Sequence, residues 1–477
     1  MTLRFIGNFL LFLLLGCTAA NAQGPWTLQQ CIDYALEHNL QVKQSDLNMQ
    51  SSKTQVDQSF AGFFPSLNGN ASHNYYYGRS IDPYTNAFTT QQVQSNSFGL
   101  SSSISIFEGL QLQNSLKQSK LLYLGSQYDL KKIRNDIALN VVSAYLQVLY
   151  SKEILSFTTD QVDASRKQRD KINRMMELGS VSKGNSLEME SQLAADESRL
   201  AQAQSSADQA MLTLTQLLEL DSTKNFSVVS PDISAPLLNA DAMNSEIIYA
   251  AALTNQPDIK AAEYKLAASE KGLSISRVAL YPRLFASGNL STNYSTSSKD
   301  VTSYTIGIPT SSFSGFTSNG DSVYSIVPNV TPNFSNTPFR DQINNNLGKS
   351  VGFSLQVPLF NGWATRASIK RSKINLEQSR LGYETTKKNL YKSVQQAVLD
   401  ALSAYRQNEA SQKSVSAMEE AFAFNQQKFD LGLISSFDYL QAKNNLAKAK
   451  ADLLQAKFDY IFRLKILDFY QGKSLTF

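Results

Sequence analysis

Two hydrophobic periods alternate along the chain. Residues 27–63 hold no Gly or Pro before Gly62 and carry apolar positions at helical spacing. Thr27-Leu28-Gln29-Gln30 forms a capping box, with Trp26 placed as a hydrophobic staple. From Pro65 the period falls to two. Leu67, Gly69, Ala71, His73, Tyr75 and Tyr77 share one face; Ser66, Asn68, Asn70, Ser72 and Asn74 share the other. Further on, Phe98, Leu100, Ile104 and Ile106 oppose Ser97, Gly99, Ser101, Ser103 and Ser105. After Gly109 helical spacing returns and runs without proline to Gly179. That is a rod of ~105 Å. A globular domain needs no such element, whereas a coiled-coil assembly does. Leu178-Gly179 predicts a C′ glycine stop, and Ser182 then caps a returning helix that ends near Leu220.

The same order is written a second time. At an offset of 217, Leu36 falls on Leu253, Lys43 on Lys260, Phe64-Pro65 on Tyr281-Pro282 and Tyr77 on Tyr294. Later the offset becomes 253: Phe107 falls on Phe360, Gly109 on Gly362, Leu178-Gly179 on Leu431-Gly432 and Leu193 on Leu446. The difference of 36 is an insertion within 295–346. The chain thus divides into a first repeat over 23–227, a linker over 228–240 and a second repeat over 241–477. The first repeat has a β-hairpin at 65–107 and a helix-turn tip at 178–186. The second has a hairpin at 282–360, interrupted by a long loop over 295–346, and a tip at 431–439. That loop is rich in Ser, Thr, Asn and Gly and holds Tyr304, Phe313, Phe316, Tyr324, Phe334 and Phe339. It reads as a long extracellular loop.

Composition narrows the setting. Over 477 residues, 44 Lys and Arg face 40 Asp and Glu, a formal charge of +4 that makes no electrostatic case for nucleic acid. Two His and two Cys cannot build a His/Cys metal site or a disulfide framework. Charged residues make up only 18 %, which suits a membrane or surface setting. Residues 1–22 read as an export signal: Arg4, the apolar run Phe5–Leu15, then Ala20-Asn21-Ala22 before Gln23. A rival reading takes Leu14-Leu15-Gly16-Cys17 as a lipoprotein box with Cys17 acylated, although Leu15 suits it poorly. Cys31 reads as a small buried apolar residue.

No later stretch offers ~18 consecutive apolar residues, so a membrane could be crossed only as a β-barrel. The four predicted strands have apolar and Ser/Asn faces and almost no charge, as lipid on one side and water on the other would require. Four strands cannot close a barrel, and an open edge in lipid is costly. The protein must therefore oligomerise if it enters a membrane. The alternatives are a soluble sheet with one wet face, or a non-porous coiled-coil stalk at the surface. A stalk gives no reason for strand alternation in four segments.

The chain resembles the TolC-type outer membrane efflux proteins. The resemblance rests on Trp26-Thr27-Leu28-Gln29-Gln30-Cys31-Ile32-Asp33-Tyr34-Ala35-Leu36 with Asn39, on Pro65 and Pro282, on the turns Ile106-Phe107-Glu108-Gly109 and Pro358-Leu359-Phe360-Asn361-Gly362, and on the two tips. It covers nearly all of 26–470. It implies an α+β membrane protein, a homotrimer whose twelve-strand outer membrane barrel continues as a periplasmic barrel of twelve helices. It further implies a passive exit duct that docks on a periplasmic adaptor and an inner membrane pump. The duct alone does not separate small-molecule efflux from protein secretion.

No catalytic constellation is visible, and neither a cofactor nor an enzyme activity is expected. His38 lies seven residues from Cys31 without a third partner and reads as packing. Gly348-Lys349-Ser350 resembles the end of a P-loop but lacks the earlier glycine and begins a predicted strand. The resemblance instead directs attention to the tips. Asp438 stands where gated relatives carry an acid, and Gln441 stands where they carry a second, with Glu188 a substitute from the first repeat. The tyrosine and arginine that help close such tips fall at Phe429 and Ile434. Small and apolar groups at Leu178, Gly179, Val181, Leu431, Gly432 and Leu433 mark the expected adaptor-docking surface, beside their plain role in capping.

Overall fold

A computed structural model describes residues 24–81, 86–90, 92–221, 226–231 and 244–475. The expected export segment 1–22 with Cys17, and positions 232–240 of the linker, lie outside the described residues. The chain divides into two compact units. One comprises the described residues of Met1–Thr54, Ser119–Ser269 and Asn375–Phe477; the other comprises Gln55–Gln118 and Glu270–Ile374.

The first helical segment is two helices, α1 Leu28–His38 and α2 Leu40–Ala61. Asn39 makes the break: its backbone is extended, and its Oδ1 accepts from the N–H groups of Gln41 and Val42. One residue thus ends α1 and caps α2. The capping box is present, with Gln30 N–H on Thr27 Oγ1 at 3.3 Å and Thr27 N–H on Gln30 Oε1 at 2.8 Å. Trp26 packs its ring edge-on against Tyr34 and Phe226, and its backbone bridges Val228 through Ser227 and Val229. It thereby also ties α1 to the chain around Phe226–Val229.

The long helices follow as α3 Gln111–Glu177 and α4 Lys183–Leu217. Then come α5 Ser245–Asn255 and α6 Pro257–Val278, a short α7 Phe339–Asn345, and α8 Ala364–Asp430 with α9 Ser436–Gln471. α1 and α5 begin 217 residues apart, as do α2 and α6. α3 and α8 begin 253 apart and each has 67 residues; α4 and α9 begin 253 apart as well. Both long helices are entered through two consecutive left-handed residues, Gly109-Leu110 and Gly362-Trp363. At Gly109 a side chain would also meet Val278 at 3.0 Å and Tyr281 at 3.1 Å, so the glycine is needed for space as well as for conformation.

The first unit buries its apolar residues between helices. One core joins Leu28, Cys31, Ile32 and Ala35 to Val141, Val142, Tyr145 and Leu149 of α3 and Leu214 of α4. A second joins Ile248, Ala252 and Ile259 to Leu390, Val394 and Ala401 of α8 and Leu467 of α9. The first short pair thus packs on α3 and α4, with Ile461 of α9 joining the same core, and the second packs on α8 and α9. Cys31 is fully buried, and burial pushes its thiol up to about 12.

The second unit holds a four-stranded antiparallel sheet of β1 Ser66–Tyr76, β4 Val93–Phe107, β5 Arg283–Ser295 and β10 Gly348–Gln356, in that order. β2 Ser80–Ile81 and β3 Phe88–Thr89 form a small pair between β1 and β4. Register places Ala71, Phe98 and Thr292 in one row and Gly69, Leu100, Leu290 and Lys349 in the next, all on one face. The opposite face presents Asn70, Gly99 and Ser291, and Asn68, Ser101, Asn289 and Ser350. β1 and β10 are open edges.

Residues between β5 and β10 carry secondary structure of their own. β6 Lys299–Ile306 pairs with β9 Val330–Asn336, and β7 Thr310–Phe316 pairs with β8 Ser322–Val327. A register shift at Thr302 keeps Val301, Phe334, Tyr304 and Ile306 on one side and Ser303, Asn333 and Thr305 on the other. α7 then folds against β5. The buried Gln342 side chain accepts from Ser295 N–H and donates to the carbonyls of Ser295 and Thr337.

Candidate functional site: the helix tips and the polar strand face

Both helical hairpins turn by one device. At the end of α3, Gly179 takes φ +77°, its N–H bonds the Met176 carbonyl, and Ser180 N–H reaches Met175. At the end of α8, Gly432 takes φ +74°, bonding Phe429, and Leu433 N–H reaches Lys428. This pair of bonds satisfies the last carbonyls and needs a left-handed residue at that point. Ser182 and Ser435 then cap the returning helices, their Oγ atoms accepting from Asn185 and Asp438 N–H.

Of the expected docking groups, Leu178, Leu431 and Leu433 stand out in solvent, as do Gly179 and Gly432. Val181 instead turns inward. It joins Ile172, Met189 and Tyr439 in a small apolar core with Phe422, Phe429 and Ile434. Phe429 stacks on Tyr439 at 4.5 Å. The two positions where a tyrosine and an arginine were looked for thus hold the tip together by apolar packing. Phe437, two residues after the cap, is a further exposed group that the sequence reading passed over. Lys171 and Asp430 form an ion pair at 2.8 Å that joins α3 to the end of α8.

The expected gate residues Asp438, Gln441 and Glu188 are all exposed. Asp438 is engaged at its own helix start, its Oδ2 accepting from Ser435 Oγ at 2.7 Å. That location suits a carboxylate, because the first turn leaves backbone N–H groups unpaired.

A few turns from the tip lies a polar cluster not anticipated from sequence. Asp196 of α4, 1 % exposed, accepts from Ser165 of α3, from Gln192 and from Arg199. Lys443 of α9 donates to Ser165 and lies 3.5 Å from Asp196. Burial lowers the pKa of the Lys443 ammonium, and the Asp196 carboxylate opposes that shift. Gln192 and Asn444 exchange amide hydrogen bonds beside it. The signal was available: Asp196 continues the buried line Met189–Leu193 of α4, and Lys443 continues Ser436–Tyr439 of α9. A charge on a core stripe demands a partner.

In the sheet, the Ser/Asn face holds no charged side chain along the rows from Asn68 to Asn74. Its hydroxyls bond across strands, Ser66 to Ser103 at 3.0 Å and Ser72 to Ser97 at 2.6 Å. It is a neutral, hydrogen-bonding surface. Lys349 is the second residue of β10, and its side chain lies on the apolar face. No described helix is long and apolar enough to cross a membrane.

Two helical hairpins with matched tips, and a sheet that is apolar on one face and neutral-polar on the other, form an arrangement suited to transport at a membrane. The sequence profile of the outer membrane efflux proteins matches residues 31–219 and 248–469. The chain belongs to that family, and its place is the outer membrane. Among its relatives, outer membrane efflux protein BepC of Brucella suis is 21 % identical over 91 % of this chain and 83 % of its own length. Cation efflux system protein CusC of Escherichia coli K12 is 20 % identical over 90 % and 82 %. A crystal structure of CusC superposes with a TM-score of 0.74 at 18 % identity, covering 94 % of this chain and 92 % of that one.

Proposed function

We propose that three copies of this chain assemble into an exit duct. Their four-stranded sheets join edge to edge, β10 of one copy against β1 of the next, into a twelve-strand barrel. The long helices continue it as a periplasmic tube of twelve. The reading takes the molecule as two copies of one helix–hairpin–long helix–helix unit, which the recurring element starts support. Function is passive export from an inner membrane pump through a periplasmic adaptor, which meets the exposed leucines of the two tips. The narrow end carries the Asp438 carboxylates, with Glu188 nearby in sequence order of the first repeat, as a ring that attracts cations and opens more readily when neutralised.

One observation carries the assembly: the sheet has two unpaired edges and an apolar face on which Leu67, Val351 and Phe353 are 72 %, 81 % and 73 % exposed. In water both features would aggregate, whereas closure in lipid satisfies both. The test is the native mass of the detergent-purified mature protein, followed by conductance in planar bilayers. A three-chain mass with discrete conductance is expected. A stable folded monomer would overturn the reading, because four strands cannot close. Asp438→Asn should reduce cation selectivity of the conducting trimer; unchanged selectivity would remove Asp438 from the gate.

A further inference from the structure

We propose that the apolar face of the sheet, beside α7, seats a phosphate-bearing lipid of the outer leaflet, its acyl chain on the strands and its phosphate on Lys349 and Arg340. The proposal rests on reading this face as lipid-facing.

The face has a dent. Gly69 and Ala71 supply almost no side chain, while Phe98, Leu100, Leu290 and Leu347 rise around them and leave a cavity of about 390 Å³. The side chains that rise around it are apolar except Thr292, whose hydroxyl is taken up by the Ile343 carbonyl, and Asn70 and Ser291 of the opposite face reach its floor, so a hydrocarbon chain gains contact on each side. A dent in a lipid-facing wall fills with acyl chain in any bilayer. What distinguishes this one is the charge at its border.

Lys349 lies opposite Leu290 in the β5–β10 ladder, so its side chain leaves the sheet on the same face as the cavity. An ammonium on the lipid side of a barrel costs ~2–4 kcal/mol at mid-bilayer and close to nothing at the interface. The lysine therefore marks headgroup depth, with its methylene stem running along the apolar wall and its charge among phosphates. α7 lies against the next rows of this face. Phe339 packs on Phe98 and Tyr294, and Thr292 Oγ1 donates to the Ile343 carbonyl at 2.7 Å. Gln342, 1 % exposed, fixes the helix from below. Arg340, next to the anchored Phe339, is exposed on α7. Its planar fork suits a phosphate. Asp341 follows it on the same helix. Among the described residues no carboxylate, Asp341 included, forms an ion pair with Arg340 or Lys349. Lys349, in the row of the slot's Leu290, and Arg340, on the helix packed over the slot's Phe98, are uncommitted cations on this face and are complementary to an anionic lipid.

The test is native mass spectrometry of the intact trimer taken from nanodiscs that contain either diphosphoryl lipid A or the same lipid stripped of its phosphates. The wild type should retain up to one diphosphoryl lipid per chain. Loss of the phosphates, or the pair Arg340→Gln and Lys349→Gln, should weaken retention about thirtyfold, with conductance unchanged. Gly69→Leu, whose Cβ would meet the mobile end of Leu100 at 3.3 Å and the Gly99 carbonyl at 4.0 Å, should fill the slot and expel the lipid while leaving both cations in place. Equal retention of the stripped lipid, or full retention by the double variant, would overturn the proposal. A protein that neither trimerises nor conducts would bring down the duct itself, a different result from a conducting trimer indifferent to phosphate.

Discussion

The two units treat apolar side chains in opposite ways. In the helical unit Val141, Val142 and Val394 are fully buried against neighbouring helices. In the sheet unit Phe353 and Leu355 of β10 are 73 % and 65 % exposed, and nothing polar shares their face of that strand but Lys349. The same residue types are core in one place and surface in the other. The difference teaches which solvent each unit is built for. A helix pair that meets water must cover its stripe, whereas a strand that meets lipid must show it.

Changes to charge and apolar area should break this contrast in a definite order. The largest effect belongs to the buried cluster of the helical unit. Asp196→Ala leaves Lys443 buried without its counter-ion and should cost about 3–5 kcal/mol. Thermal unfolding of the purified protein would read it. Replacing both partners, Asp196→Leu with Lys443→Met, should recover most of that loss. A double variant as weak as the single one would mean that the charges hold the helices in register and do more than cancel each other.

Next comes Phe353→Arg on the apolar face of β10, at about 2–4 kcal/mol against membrane assembly. It should reduce the trimer recovered in the outer membrane and leave helical content by circular dichroism untouched. Ser354→Arg, one residue along on the polar face, should assemble and alter conductance only. Equal assembly by both variants would erase the distinction between the faces.

Cys31 tests the dryness of the helical core. Its thiol stays protonated up to about pH 12 in the folded state, against 9.0 for a thiol in water. Above pH 9 the unfolded chain loses that proton and the folded chain keeps it. Stability present below pH 9 should therefore fall toward pH 12, by up to about 1.4 kcal/mol per pH unit. Tyr145, also raised to about 12, adds to the same slope above pH 10. Cys31→Ala should flatten the slope, and a maleimide should label Cys31 only after denaturation. The smallest effect is at the tip. Ser435→Ala removes the hydroxyl that caps α9 and should cost about 1 kcal/mol, seen as faster hydrogen exchange in its first turn.

Much of this architecture was legible because each element obeys a local rule. The glycine stops at 179 and 432, the serine caps, the capping box at Thr27 and the strand alternation all follow from the backbone geometry of one turn or one pleat. The break at Asn39 was missed because apolar spacing runs through it; only the amide's two bonds to Gln41 and Val42 end one helix and start another. Residues 299–336 were read as loop because Ser, Thr and Asn dominate them. Yet Val301, Tyr304, Ile306 and Phe334 fall on one side once the shift at Thr302 is counted.

The sequence by itself determined the periods, the turns and the repetition, since these depend on residues a few positions apart and on comparison of the chain with itself. Tertiary structure alone decided which distant groups meet. Asp196 and Lys443 are 247 residues apart in the chain, and no local pattern pairs them. It also drew Val181 into the tip core while leaving Leu178 outside, laid α7 across Phe98 and Tyr294, and brought Lys349 to the face of Leu290. Periodicity names a face; only the packed chain shows what that face touches.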